Sequence, residues 1–183
     1  AVVVATATDC HLGIARDALQ FGCGLYLEKP ISNTWTGVEN LVELGKGKTV
    51  EVGCQFRTHP SLTALAEILL KSERSQPLTY RLVMGHRLDA WRPKQDYRHS
   101  YSTESERGGG ALFDLIHQID LALWFFGQVV SVNAVLSKVS DFEINGDDVA
   151  NVLLTHKTCL ANQIVPCQVP NNAAQATAYG KTR

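Results

Sequence analysis

The sequence predicts an α/β chain in which part of a parallel sheet is followed by an α+β domain with a mainly antiparallel, open sheet. Three observations predict it: strands and helices alternate up to residue 57, residues 111–126 form an apolar helical run, and only strand-like segments follow Gly127. Alternating strands and helices form right-handed βαβ units, whereas consecutive strands pair antiparallel. We therefore place a domain boundary between residues 57 and 58.

The first domain, residues 1–57, contains three predicted strands separated by two predicted helices. The strands are expected in the short β-branched or apolar runs AVVVAT, LYLEKP and TVEVGCQF, which are typical of strands buried on both faces of a parallel sheet. Apolar residues recur at helical spacing over residues 11–21 and 34–46. The second segment, LYLEKP, ends in a charged turn.

The second domain, residues 58–183, changes from alternating elements to a run of strands. Helices are expected over residues 61–71 and 111–126, with a strand at 78–87 between them. The strands after Gly127 are expected at 129–139, 148–158 and 159–169. The last two are close enough in sequence to pair as a hairpin.

Composition excludes several classes of function. With 45% hydrophobic residues, 19% charged residues and a net charge of −1, the chain has no basic surface excess for a nucleic acid or an acidic membrane. No apolar run approaches the roughly 20 residues that span a bilayer. The five cysteines form no CxxC pair and the six histidines no HxH or HExxH motif, so we expect no metal site. A cytoplasmic protein is the expectation.

The helical run 111–126 carries an unusual set of ionisable groups. Asp114, His117 and Asp120 are spaced by three, which places them about 60° apart on one face of a single helix. A carboxylate beside a buried histidine is either a hydrogen-bonded pair of the core or a proton-handling site. The glycines at 108–110 are expected to let the helix N-terminus approach a ligand.

A second motif lies at the end of the second predicted strand. Lys29 stands between Glu28 and Pro30, at the carboxyl end of a parallel strand. Open α/β sheets bind ligands at this edge, although the same residues would also suit an ordinary surface turn.

Taken in order, the strand followed by ATxxxxH, then EKP, then GGGxxxDxxHxxD, resembles the Gfo/Idh/MocA family of nicotinamide-dependent oxidoreductases. The final ATAYGKTR resembles the strand end of that family. The resemblance implies the C-terminal part of a Rossmann-type parallel sheet followed by the open-sheet domain. It also implies NAD or NADP as cofactor, and hydride transfer to or from a hydroxyl-bearing carbon of a sugar or sugar derivative.

The resemblance also implies roles for individual residues. Lys29 and His117 would manage the substrate proton, with Asp114 as the partner of His117 or a ligand of the substrate; which of the two takes the proton stays open. The residues implied to line the cofactor are Thr6, Ala7, His11, Glu28, Lys29 and Pro30.

Substrate residues are expected in the polar, aromatic segment before the glycines. Aromatic faces and guanidinium groups suit sugar rings and anionic groups. The substrate candidates are Arg57, Trp91, Arg92, Tyr97 and Tyr101, together with Asp114 and His117. We also expect a homo-oligomer formed through the open face of the sheet.

The chain departs from the family pattern in two respects. Asp114 and His117 are three positions apart, whereas the corresponding Asp and His are four positions apart in many relatives. The GxGxxG turn that holds the pyrophosphate is absent, so we expect a fragment that lacks the N-terminal part and the C-terminal end of a longer oxidoreductase. Two alternatives stay open: a non-catalytic sugar- or dinucleotide-binding regulator of the same fold, and an NAD-dependent glycosidase.

Overall fold

The computed structural model describes residues 1–71 and 79–157, and the backbone of residues 161–167 and 173–179. Its strands are β1 Val2–Val4, β2 Leu25–Leu27, β3 Val50–Val52, β4 Thr79–Gly85, β5 Val129–Ser137, β6 Val149–His156, β7 Ala161–Cys167 and β8 Ala173–Tyr179. Its α-helices are α1 Thr8–Gln20, α2 Val38–Gly45, α3 Pro60–Lys71, α4 Leu88–Trp91, α5 Ala111–Asp114 and α6 His117–Phe126. Short 3-10 turns cover Gln55–Thr58, Tyr97–His99, Tyr101–Thr103 and Ser105–Arg107.

The first three strands form the predicted parallel sheet, in the order β1-β2-β3. Val4, Leu25 and Leu27 are buried against Ala15 and Leu19 of α1, but Val3 on the opposite face is 70% exposed, so the predicted burial on both faces is wrong. The strands are shorter than predicted, because the chain turns at Gln55–Thr58 instead of continuing the ladder. The second helix likewise begins at Val38 rather than at residue 34.

The later strands form a five-stranded sheet in the order β5-β6-β7-β4-β8. All neighbours are antiparallel except β4 and β7, so the prediction of a mainly antiparallel sheet is confirmed, as is the β6–β7 hairpin. Helices α3 and α6 pack on one face of this sheet. The buried residues of this second cluster include Leu69, Tyr80, Leu121, Phe125 and Val152.

The prediction of one helix over residues 111–126 is wrong. Helix α5 ends at Asp114, Leu115 has φ −105° and ψ 28°, and α6 begins at His117. In an uninterrupted helix the N–H of Gln118 would donate to the carbonyl of Asp114; here it faces the carbonyl of Leu115 at 3.5 Å. The break therefore releases the Asp114 carbonyl and removes Asp114 and His117 from a common helix face.

The glycines at 108–110 pack against protein rather than toward open space, so the expected ligand approach at this helix end is wrong. A Cβ at Gly108 would lie 2.6 Å from the Cβ of Thr8, and one at Gly110 would lie 2.6 Å from Oδ1 of Asp147. Asp147 also caps α5: its carbonyl accepts from the N–H of Ala111 at 2.9 Å and its Oδ2 from that of Leu112 at 2.8 Å. Gly108 thus lets the chain segment before α5 pack on the first domain, whereas Gly109 and Gly110 pack within the second.

Gly109 provides a test of this close packing. A Cβ at Gly109 would collide with the carbonyl oxygen of Tyr101 and lie 2.6 Å from the main chain of Ser102, which cannot move like a side chain. We expect Gly109→Ala to lower the free energy of unfolding by at least about 2 kcal/mol, as overpacking does elsewhere. Urea denaturation measures this change.

The matched control is Gly13→Ala in the interior of α1, where nothing lies within 4 Å of the added Cβ. Alanine favours helix over glycine, so this variant should gain about 0.5–1 kcal/mol. Equal effects of the two substitutions would contradict the packing role of Gly109.

Candidate active site

A cleft of about 460 Å³ opens where β1 and β2 end. It brings together four residues expected to line the cofactor and three expected to contact the substrate. Its lining consists of Ala5, Thr6, Ala7, Thr8, Glu28, Lys29, Trp91, Arg92 and Tyr101. Residues separated by up to 96 positions meet here because parallel strands end at one edge and the segment before α5 folds over that edge.

Lys29 connects this cleft to the broken helix. Its Nζ donates to the main-chain carbonyl of Asp114 at 2.7 Å. Burial lowers the pKa of Lys29, while the charges of Asp114 and Glu28 oppose that change. A lysine whose pKa is lowered has a larger neutral fraction at neutral pH, and the neutral amine accepts protons.

Asp114 is 3% exposed, and its carboxylate lies close enough to Lys29 for the two charges to interact. Burial raises its pKa, whereas hydrogen bonds from Ser102 and Tyr101 and the nearby charges of Lys29 and Arg92 favour the ionised form. Ser102 is a site residue that the sequence did not single out. A serine in a polar loop gives no signal of its own, and only the fold brings it to the carboxylate.

His117 is buried and does not pair with Asp114, so that expected partnership is wrong. Its Nε2 lies 3.3 Å from Nε2 of Gln55, and its Nδ1 has no hydrogen-bond partner within the described part of the chain. The Phe56 ring packs on the imidazole with centroids 4.5 Å apart. Burial, followed by the charge of Lys29, lowers the pKa of His117 to about 4, so the ring is neutral at pH 7.

Asp120, the third of the ionisable residues predicted on one helix face, binds Arg57. Nη2 of Arg57 donates to Oδ1 of Asp120 at 2.7 Å, and Nε lies within 3.1 Å of both carboxylate oxygens. The guanidinium also lies over the Trp124 ring, 5.9 Å from its centroid. Arg57, expected to bind substrate, therefore joins the turn after β3 to α6 and lies outside the lining of the cleft.

His11 and Pro30 support the cofactor side of the cleft from below. His11 is 1% exposed; its Nδ1 lies 2.8 Å from the carbonyl of Pro30 and its Nε2 lies 3.1 Å from the carbonyl of Thr6. The ring thus ties the loop after β1 to the turn after β2, where the Lys29–Pro30 peptide bond is cis. Neither His11 nor Pro30 lines the cleft itself.

The substrate candidates separate into two groups. Trp91 stacks on His86 with centroids 5.4 Å apart, and the Arg92 guanidinium lies 5.8 Å from the Tyr101 centroid, so both pairs support the cleft wall. Tyr97 instead packs against Phe142, and its hydroxyl accepts from the N–H of Glu143 at 3.3 Å. Tyr97 therefore does not line the cleft.

Polar main-chain and side-chain groups line the cleft. It lies beside the N-terminus of α1, which no side chain caps, and so offers polar main-chain groups together with Lys29 and Glu28. The described residues include no glycine-rich turn of the kind that holds a pyrophosphate. Among the same residues no helix is long and apolar enough to cross a membrane, and no group of three His, Cys, Asp or Glu side chains could hold a metal ion.

The lowered pKa of His117 predicts a pH-dependent stability. The unfolded histidine binds a proton near pH 6.5 and the folded one only near pH 4. The free energy of unfolding should therefore fall as the pH falls from about 6.5 to about 4, by at most about 1.4 kcal/mol per pH unit.

Urea denaturation of the wild type and of His117→Gln measures this contribution. The variant lacks the titrating group, so its stability should fall less steeply over that interval, while the opposite effect of the raised Asp114 pKa is present in both proteins. Equal slopes would contradict the burial of an uncharged His117.

Two domain profiles match the chain. The profile described as an oxidoreductase family with an NAD-binding Rossmann fold matches residues 1–56, and the one described as a GFO/IDH/MocA C-terminal domain matches residues 79–181. The chain is 27% identical over 177 residues to a D-apiose dehydrogenase of Paraburkholderia graminis, covering 95% of this chain and 45% of that protein. It is 29% identical over 140 residues to a levoglucosan dehydrogenase of Pseudarthrobacter phenanthrenivorans, covering 74% of this chain and 35% of that protein.

Solved structures share the fold. A levoglucosan dehydrogenase in complex with NADH and levoglucosan superposes with a TM-score of 0.82 at 23% identity, covering 98% of this chain and 51% of that one. An NAD-binding oxidoreductase from Klebsiella pneumoniae gives a TM-score of 0.84 at 17% identity, with 98% and 51% coverage. The chain thus spans about half or less of the length of these proteins. Both of its parts match, in the expected order, and the chain belongs to the GFO/IDH/MocA oxidoreductase family.

Proposed function

We propose that this chain carries the proton-handling and substrate-binding part of an NAD- or NADP-dependent dehydrogenase. Its substrate would be a sugar or sugar derivative, oxidised at a hydroxyl-bearing carbon or reduced at the corresponding carbonyl. The observation that carries the proposal is the cleft in which Thr6, Ala7 and Lys29 face Trp91 and Arg92. Relatives that act on D-apiose and levoglucosan support the substrate class.

In this proposal the cofactor supplies one step, the acceptance or donation of a hydride, and the protein handles the accompanying proton. Thr6, Ala7 and Glu28 would hold the nicotinamide end. Lys29 lines the cleft, so its amine is the group placed to receive the proton of the substrate hydroxyl. The Asp114 carbonyl holds that amine in position, and the carboxylate behind it compensates the charge that the proton brings.

His117 would act from the second side of the reacting oxygen. A neutral imidazole presents one accepting nitrogen, and the Phe56 ring restrains its plane. Because burial and the charge of Lys29 lower the pKa of His117 to about 4, the ring is a weak proton acceptor at neutral pH. We therefore assign His117 to hydrogen bonding and orientation of the substrate oxygen, and the proton to Lys29.

The first test uses the longest gene product that contains these residues. We expect Lys29→Ala to reduce turnover by at least about 100-fold and His117→Ala by at least about 10-fold, since positioned acid–base groups contribute about 10²–10⁴-fold. Lys46→Ala and His59→Ala are the controls, because both side chains are exposed and neither lines the cleft. Unchanged turnover in both site variants, with the fold retained, would refute the assignment.

A second test separates the proposal from the alternatives. Net formation of NADH or NADPH from a sugar identifies a dehydrogenase. Release of a free sugar without net reduction of the cofactor identifies a glycosidase, and binding without turnover identifies a regulator. The choice between NAD and NADP follows from the ratio of kcat/KM values for the two cofactors.

We also propose that the open sheet face forms a homo-oligomer. Val135 on β5 and Leu153 on β6 are 62% and 41% exposed, and Val83 on β4 has its side chain on the same face. Covering these exposed apolar side chains with a second copy of the chain would stabilise an oligomer. Light scattering should show a multimer, and Val135→Lys with Leu153→Lys should shift it toward the 20.1 kDa monomer or its full-length equivalent. A monomeric wild type would refute this contact.

A further inference from the structure

Gln55 is an exposed residue that contacts one of the most buried polar groups of the site. It begins the 3-10 turn Gln55–Thr58 that follows β3, and its amide nitrogen lies 3.3 Å from Nε2 of His117. His117 itself is only 5% exposed. Nothing in the sequence pattern distinguished Gln55, apart from its position just after a parallel strand.

The chemistry of the two groups determines where the imidazole proton lies. With its nitrogen toward the ring, as in this structure, the Gln55 amide donates, and Nε2 of His117 then accepts and carries a lone pair. A neutral imidazole has one N–H, which must then be on Nδ1. The ring is neutral at pH 7, because burial and the charge of Lys29 lower its pKa to about 4.

We propose that Gln55 is a positioning residue that selects the Nδ1–H tautomer of His117 and keeps Nε2 as its accepting atom. This proposal deepens the proposed function and rests on it for its catalytic meaning. A substrate hydroxyl is a donor, as the Gln55 amide is, and would replace that amide at Nε2 without any rearrangement of the imidazole proton. Phe56, the next residue, holds the ring plane while the partners exchange.

No other described group near His117 selects its tautomer. The charges that act on His117 are those of Lys29 and Asp120. Lys29 donates to the Asp114 carbonyl and Asp120 accepts from Arg57, so each has a partner other than the imidazole. Within the described residues, Gln55 is therefore the one hydrogen-bond partner of the ring.

The test is the ¹⁵N NMR spectrum of the histidine side chains at pH 7, recorded without substrate or cofactor. The two ring nitrogens of a neutral histidine have well-separated shifts that identify which one is protonated, and the spectrum of His117→Asn assigns the His117 signals among the six histidines. The wild type should show predominantly the Nδ1–H form. Gln55→Met removes the donor and should give a mixture of tautomers.

Gln55→Glu is the decisive variant, because a carboxylate accepts where the amide donates. It should move His117 to the Nε2–H form and raise its pKa through the added negative charge. If Gln55 acted through packing alone, His117 would have the same tautomer in Gln55→Met and in Gln55→Glu. Since Gln55 is exposed, both variants should fold, and the wild-type spectrum alone tests the proposal if one does not.

A wild-type spectrum dominated by the Nε2–H form, or the same tautomer in all three proteins, overturns the proposal. The measurement involves no turnover, so its outcome is independent of the dehydrogenase assay. A correct tautomer in a protein without dehydrogenase activity would refute the proposed function alone.

Discussion

The hydrogen bond from Nζ of Lys29 to the Asp114 carbonyl is the interaction on which the arrangement of the site depends. The carbonyls at the end of a helix lack partners within it and carry partial negative charge, so a buried lysine is stabilised there. The bond exists because α5 stops at Asp114, which leaves this carbonyl available. It joins the turn after β2 to the helix pair of the second domain. It also fixes the position of the Lys29 amine at the cleft.

Close packing, rather than surface charge, holds the start of α1 against the segment that precedes α5. Gly108 lies directly against Thr8, and a side chain at this position would separate them. The ion pair between Arg107 and Asp9 spans the same junction at 3.2 Å, but both side chains are at least one third exposed, so solvent screening leaves it a small contribution. The glycines were predicted to let a ligand approach the main chain, but other parts of the protein occupy that space.

Much of the fold and part of the site were predictable because they follow from local patterns. The apolar runs around Val4 and Leu27 predict parallel strands that pack on a helix, and Lys29 then falls at the carboxyl edge of that sheet. The break after Asp114 was not predictable, since no proline or glycine marks it and Leu115 is a strong helix former. Ser102 was missed because its role depends on the carboxylate of Asp114, which lies in another element of the chain.

The sequence by itself determined most of the order of strands and helices, the family, and the prediction of Lys29, Asp114 and His117 as site residues. Hydrophobic periodicity and motif spacing are properties of the chain, so they need no coordinates. Only the tertiary structure decided their partners: Lys29 with the Asp114 carbonyl, His117 with Gln55, and Arg57 with Asp120. These pairs join residues 62 to 85 positions apart, and hydrogen bonds over such separations depend on ångström-scale placement that no local pattern encodes.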